Sequence, residues 1–383
     1  MSGGEPVVRL AARGEGVTES GRFVPMAAPG DLVAADGGIK PGPHHAVPPC
    51  RHFPECGGCQ LQHVDDLAYA DYLKDRLASA LAAQGLSASE LRAPHLSPPR
   101  SRRRAALKAA AGRIGFNAQA SHRIVDMREC HILRPELFAL VAPLRRLLTG
   151  RAAAAMILAD QGIDLLIEGV SAEGLDQAEA MTGFARAHGL ARLALDDGYG
   201  PQTVWEPEPV TVTLGGRPVA LPHGAFLQAT ADGEAALVAA VREAVGGAAV
   251  VADLFAGLGT FALALAGKVY AAEGSRDAVL ALKAAASGIV VDHRDLYRRP
   301  LDVAELSRFE AVVLDPPRAG AKEQAQLLAA SSVPAIAYVS CNAATFARDA
   351  RTLIDGGYRL DWAKPVGQFR WSTHVELVAA FVK

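Results

Sequence analysis

A chain of 383 residues, half of them hydrophobic and 21% charged, has the composition of an ordinary globular protein with room for two or three domains. Its formal net charge of −2 excludes a global attraction to nucleic acid, so any RNA contact has to come from a local basic patch. No apolar run reaches membrane-spanning length, the polar, Gly-rich start does not read as a signal peptide, and five cysteines are too few for a disulfide scaffold, so a cytoplasmic protein is expected.

Residues 1–45 are rich in Gly, Pro and Val. Val7-Val8-Arg9-Leu10, Arg22-Phe23-Val24-Pro25 and Asp31-Leu32-Val33-Ala34 each precede turn residues, which predicts a small β-barrel, with 37–49 as a loop. A central domain is expected over 46–221. It opens with Cys50-x5-Cys56-Gly57-Gly58-Cys59, and a fourth cysteine, Cys130, follows much later. Four thiolates can hold a tetrahedral zinc or an iron–sulfur cluster. Zinc sites of this type come as two Cys-x2-Cys pairs, so the three-plus-one spacing favours a cluster, with zinc or free thiols as the alternatives.

Leu67, Tyr69, Leu73, Leu77 and Leu81 recur at helical spacing within 66–86, and Gly85 stands near the end. A helix over about 64–90 is expected to pack on the last domain. The densest positive run follows: Arg100, Arg102, Arg103, Arg104, Lys108 and Arg113. It reads either as a solvated loop or as a patch whose guanidinium planes pair with phosphates and stack on bases. Met156-Ile157-Leu158, Ile163–Ile167 and Val210-Thr211-Val212 predict strands among helices, an α/β domain without evident chemistry.

Residues 222–383 have the grammar of a doubly wound sheet: strands at about 249–254, 269–273, 288–292, 311–315 and 334–339 alternate with helical stretches. Two more, near 357–363 and 374–382, predict an antiparallel edge. Open α/β sheets bind ligands at the carboxyl ends of their strands. Four features fall there. Asp253-Leu254-Phe255-Ala256-Gly257-Leu258-Gly259-Thr260 turns into a helix expected at about Phe261, and Glu273 ends the next strand, where it can accept ribose hydroxyls. A dinucleotide would fit the same glycines, but Asp253 repels a pyrophosphate and tolerates the cation of S-adenosylmethionine. Asp315 is presented rigidly by Pro316-Pro317. Arg318 then stands where amino-methyltransferases carry an aromatic residue, which argues against amine methylation. Cys341, after Tyr338-Val339-Ser340, is a candidate nucleophile or a small core residue. Glu376 interrupts an apolar strand, and burial there would raise its pKa and suit it to act as a base.

Taken together, the chain resembles the RNA uracil-5-methyltransferases. The features that carry this are the Cys50/Cys56/Cys59/Cys130 spacing, Phe-x-Gln at 226–228, Asp-Leu-Phe-x-Gly-x-Gly at 253–259, Leu-Asp-Pro-Pro-Arg-x-Gly at 314–320, Tyr-Val-Ser-Cys-Asn at 338–342 and His-x-Glu at 374–376. The cysteines resemble the branch that acts on 23S ribosomal RNA more than the transfer-RNA branch. The resemblance implies a Rossmann-like class I methyltransferase domain and a shortened TRAM-like barrel at the start. It further implies a monomer that binds RNA, S-adenosylmethionine and a 4Fe-4S cluster, the cluster held by the four cysteines. Cys341 and Glu376 become the catalytic pair, and Gln228, Phe255, Gly257, Thr260, Glu273, Asp295 and Asp315 the cofactor residues. Departures from the family pattern fall at Thr230, Thr260, Ala343, Arg370 and Trp371. The alternatives are the same chemistry on a transfer-RNA uridine, a nicotinamide-dependent iron–sulfur oxidoreductase, and a non-catalytic RNA-binding cluster protein.

Overall fold

The computed structural model describes residues 4–383. Residues 1–3 of the expected amino-terminal barrel lie outside the described residues. Five short antiparallel strands follow in the spatial order Phe23–Val24, Gly16–Thr18, Glu5–Leu10, Leu32–Val33 and Ile39–Lys40, around Val7, Val24, Ala27 and Val33. The last strand lies where a loop was expected. Its hairpin pairs Val33 with Ile39 across a turn in which Gly38 N donates to Asp36 Oδ1 at 2.9 Å, a local bond that Asp-Gly segments favour.

The central sheet has six strands in the order Gln202–Trp205, Leu190–Asp196, Gly162–Glu168, Ala152–Ala159, Arg104–Ala110 and Arg113–Gly115. The basic run is therefore largely strand, with Ala105, Leu107 and Ala109 buried in alternation with exposed Ala106 and Lys108. The expected strand at 210–212 does not join this sheet. Thr211–Leu214 instead forms a hairpin with Arg217–Ala220, and its apolar side packs against the glycine turn region.

The third sheet positions the site. Its spatial order is Ile289–His293, Lys268–Glu273, Val250–Leu254, Ala311–Leu314, Ala335–Ser340, Glu376–Val382, Arg359–Gly367 and Glu90–Leu91. The first five are parallel and read as near-continuous apolar runs because helices cover both faces. The next two are antiparallel. Glu90–Leu91 and His95–Leu96 extend the edge by pairing with Arg359–Gly367, an addition that the sequence does not announce.

The helix Asp66–Ala82, capped by Asp65, sends Leu77 and Leu81 into one core with Leu314, Tyr338 and Phe346. It ends earlier than its periodicity suggests because Gly85, at φ +67°, turns the chain so that Leu86 N donates to Leu81 O at 3.0 Å. Leu67, counted among its apolar positions, is 63% exposed. The helix expected at Phe261 is also corrected: only the 3-10 turn Ala262–Ala264 forms, since the next strand begins at Lys268 and leaves too little chain.

Candidate active site

Two antiparallel strands bring the catalytic candidates together. Ser340 pairs with Leu377, so the next position outward on each strand is Cys341 and Glu376. Cys341 is half-buried. Asn342 follows it as the cap of the helix Ala343–Asp355, accepting from Ala344 N at 3.1 Å. The Asn342 amide nitrogen and Thr345 Oγ1 both donate to Arg318 O, each at 3.1 Å, which ties the Asp315-Pro316-Pro317-Arg318 turn to the cysteine.

Charge in this corner is crowded. Burial, then the neighbouring Asp315 carboxylate, pushes the Glu376 carboxyl up to about 8. Burial alone takes Asp315 to about 7. The Cys341 thiol is held above its ordinary value by burial and by the Glu376 and Asp315 carboxylates, while Arg318 pulls it down. A cation arriving here would be stabilised by the carboxylates and would favour their charged forms.

Gln228 is 3% exposed. Gln368 Nε2 donates to Gln228 Oε1 at 2.7 Å, and Gln368 Oε1 accepts from Ala229 N at 2.8 Å. The Gln368 amide also favours the charged form of Glu376, against the effect of burial. Gln368 was not singled out from sequence; a glutamine between the apolar strand end and Phe369 was the available signal. Arg104 was named only within the basic run. It lies 4.3 Å over the Phe226 ring and is brought down to about 10 by burial, then by the nearby Arg102. Arg103 Nε donates to Gln228 O at 3.0 Å and its Nη2 pairs with Glu234 at 2.5 Å. Arg102, Arg103 and Arg104 thus turn toward the site, whereas Arg100, Lys108 and Arg113 stay exposed.

The glycine turn lies at the ends of the neighbouring strands. Phe255, Gly257 and Gly259 all take left-handed backbone, with φ of +64°, +56° and +92°. A Cβ at Gly259 would sit 2.5 Å from Leu282 Cδ1. Glu273 accepts from Gly257 N at 2.8 Å and from Ser275 N at 2.6 Å, so it braces the turn as well as lining it. Asp253 is fully buried: Oδ2 accepts from Ala262 N at 2.8 Å, Oδ1 has no partner, and burial raises the carboxyl to about 7. Thr260 lies half-buried in the same turn. Asp295 is exposed and caps its own loop through Tyr297 N at 3.0 Å. Tyr297, another residue not singled out from sequence, sets its ring 5.4 Å from that of Phe255 at a tilt of 55° and donates to Gly320 O at 3.2 Å. An orphaned buried carboxylate oxygen, a cradle that admits only glycine and a surplus of carboxylates suit a cationic, ribose-bearing ligand.

Cys50, Cys56, Cys59 and Cys130 line one cavity together with Phe53, Phe116 and Met127. Among the described residues, no three His, Cys, Asp or Glu side chains are arranged to hold a metal ion. The cysteine loop is fastened to the segment that leads into Glu376: Gln60 N and Leu61 N both donate to Trp371 O, at 2.8 and 2.9 Å. Trp371 itself packs into the core beside Cys59 and Ile132.

Comparison with known proteins adds a chemical class. The tRNA (Uracil-5-)-methyltransferase family matches residues 290–382. An uncharacterized RNA methyltransferase of Zymomonas mobilis is 54% identical over 98% of this chain and 99% of its own length. The 23S rRNA (uracil(1939)-C(5))-methyltransferase RlmD of Halomonas elongata is 33% identical over 86% of this chain and 75% of its own. The crystal structure of Pyrococcus abyssi tRNA (uracil-54, C5)-methyltransferase in complex with S-adenosyl-L-homocysteine has the same fold. It superposes with a TM-score of 0.72 over 99% of both chains at 22% identity.

Proposed function

We propose, on the premise that this chain belongs to the tRNA (uracil-5-)-methyltransferase family, that it methylates carbon 5 of a specific uridine in 23S ribosomal RNA through a transient bond between Cys341 and carbon 6. As an RNA (uracil-5-)-methyltransferase it uses S-adenosylmethionine, which when bound supplies an electrophilic methyl group on a sulfonium. The observation that carries the mechanism is the convergence of Cys341, Glu376 and Asp315 at adjacent strand ends. A 33% identical relative that bears a 23S rRNA name favours ribosomal over transfer RNA as substrate.

Carbon 5 of uracil is a poor nucleophile. The Cys341 thiol loses its proton to solvent through the half-exposed mouth, helped by the Arg318 guanidinium, and the thiolate adds to carbon 6. The ring electrons move onto carbon 5 and the carbonyl oxygen, and carbon 5 takes the methyl group as the methyl–sulfur bond breaks. Glu376 accepts the remaining proton from carbon 5, the electron pair restores the ring double bond, and the thiolate leaves. Gln228 would hold the reacting groups and stabilise charge on a ring oxygen, and the Asp315 carboxylate would balance the positive charge of the cofactor. Phe255, Gly257, Thr260, Glu273 and Asp295 would hold the cofactor's adenosine. The base must be unstacked to reach this corner, and Arg104 with Phe226 offers a cation and an exposed ring at its mouth.

Cys50, Cys56, Cys59 and Cys130 are read as ligands of a 4Fe-4S cluster with a structural role. The support is their shared cavity, the all-thiol donor set and the close approach of Gly57 to Asn117 O, 2.8 Å from where a Cβ would stand. No step of the methylation needs its electrons. Iron and sulfide analysis of anaerobically purified protein, set beside Cys56→Ser, tests the ligand set.

RNA carrying 5-fluorouridine at the target tests the catalytic reading, because fluorine at carbon 5 cannot leave as a proton. Incubation with methyl donor is expected to trap a methylated adduct on the peptide containing Cys341. Failure to trap any adduct through Cys341, in protein that methylates the ordinary RNA, would remove the covalent mechanism.

A further inference from the structure

We propose that Gln368 is a positioning residue that decides which end of the Gln228 amide faces the reaction cavity. It leaves the amide N–H to meet an acceptor oxygen, either a uracil carbonyl or the carboxylate of the cofactor. This deepens the proposed function and rests on Gln228 contacting a ligand there.

The two ends of a carboxamide have nearly the same shape, so only its hydrogen-bond partners decide which end lies where. Here the chain of bonds starts from a group whose polarity cannot be reversed. Ala229 N is a backbone donor, so the Gln368 atom 2.8 Å from it has to be the carbonyl oxygen. The other end of Gln368 is then the NH2 group, and it lies 2.7 Å from the Gln228 amide. What it meets has to accept, which places Gln228 Oε1 inward and turns Nε2 away from Gln368. Reversing Gln228 would set donor against donor in a place where Gln228 is 3% and Gln368 2% exposed.

Gln368 is itself held from behind. A Cβ on Gly233, in the first turn of the helix Ala231–Val245, would stand 2.7 Å from Gln368 Cβ and 2.6 Å from Thr230 Oγ1. That helix therefore approaches so closely that only glycine leaves the Gln368 side chain its place. The same side chain favours the charged form of the Glu376 carboxyl and so opposes the effect of its burial. One residue thus sets the polarity of the Gln228 amide and bears on the charge of the proposed proton acceptor. A presented donor suits uracil, which offers a carbonyl at carbon 4, and not cytosine, which offers an amino group there.

The test is a double-mutant cycle on the full-length protein with Gln228→Met, Gln368→Met and the pair. Gln368→Met keeps side-chain length and is expected to lower single-turnover methylation at least tenfold. If Gln368 acts through Gln228, adding it to Gln228→Met costs less than a further threefold. The loss falls on the calorimetric Kd for S-adenosylhomocysteine if the cofactor carboxylate is the acceptor, and on the KM for RNA if the base carbonyl is. Without the Gln368 amide, which favours the charged form of Glu376, the limb of the pH–rate profile that reports Glu376 moves to higher pH. Should Gln368→Met fail to fold, Gly233→Ala displaces Gln368 from behind and is expected to act in the same direction more weakly. Losses that multiply across the cycle, or a pH limb identical to wild type, overturn the proposal. Wild-type protein that methylates no uridine overturns the underlying function instead, and the S-adenosylhomocysteine arm of the cycle still reads the Gln228–Gln368 coupling.

Discussion

Cys341 stands opposite Glu376 because one strand ends where the other begins: Ser340 pairs with Leu377, and each chain then contributes the next residue to the sheet edge. The thiol and the carboxyl are therefore placed by backbone register, and neither depends on a flexible loop for its position. Glu376 is also among the groups that hold the Cys341 thiol up.

That pairing makes the two roles separable. On the proposed mechanism Glu376→Gln retains the nucleophile and removes the proton acceptor, so addition and methyl transfer proceed while release stalls. Ordinary RNA with methyl donor is expected to accumulate a methylated adduct visible on denaturing gels, with turnover reduced at least a hundredfold (about 3 kcal/mol of barrier). Turnover at the wild-type rate would show that the proton leaves by another route.

Stability should depend on pH with a definite sign. Glu376 rises from 4.5 to about 8, and Asp253 and Asp315 from 3.8 to about 7. Between the ordinary and the raised values the unfolded chain has released protons that the folded chain keeps, so stability falls as pH climbs from about 4 through 8. Glu376→Gln is expected to gain on the order of 1–3 kcal/mol at pH 8 and nothing near pH 4. Urea titrations at the two pH values decide it, and an equal gain at both would contradict the sign.

Gly259→Ala tests the cradle. The added methyl meets Leu282 Cδ1 at 2.5 Å on a backbone at φ +92°. The turn has to shift, with a loss of about 1–3 kcal/mol of stability and a weaker grip on S-adenosylhomocysteine by tenfold or more. Calorimetry and thermal melts read both, and unchanged affinity would place the adenosine elsewhere.

Arg104→Ala addresses the RNA face. Loss of the guanidinium over Phe226 is expected to weaken RNA binding roughly tenfold and to reduce the slope of log affinity against log salt by about 1 if the contact is to a phosphate. Filter binding over a range of salt concentrations measures the slope. An unaltered slope with reduced affinity would instead mark Arg104 as a support for the Phe226 ring.

The chain by itself determined the strand grammar of residues 249–382 and the placing of Asp315 and Cys341 at strand ends. Fully covered parallel strands need continuous apolar runs, and such runs stop at residues that cannot continue them, so the signal is local. Tertiary structure alone decided that Glu90–Leu91 and His95–Leu96 join the edge of that sheet, that the turn after Gly259 leads to a 3-10 turn, and that the basic run divides into an inward and an outward set. It alone joined Gln228, Ala229 and Gln368 into one hydrogen-bonded group. The reason is physical: a buried polar side chain is tolerated only when distant partners satisfy it, and Gln228 and Gln368 are 140 residues apart. No neighbour in sequence records that satisfaction; it exists only once the sheet has closed around it.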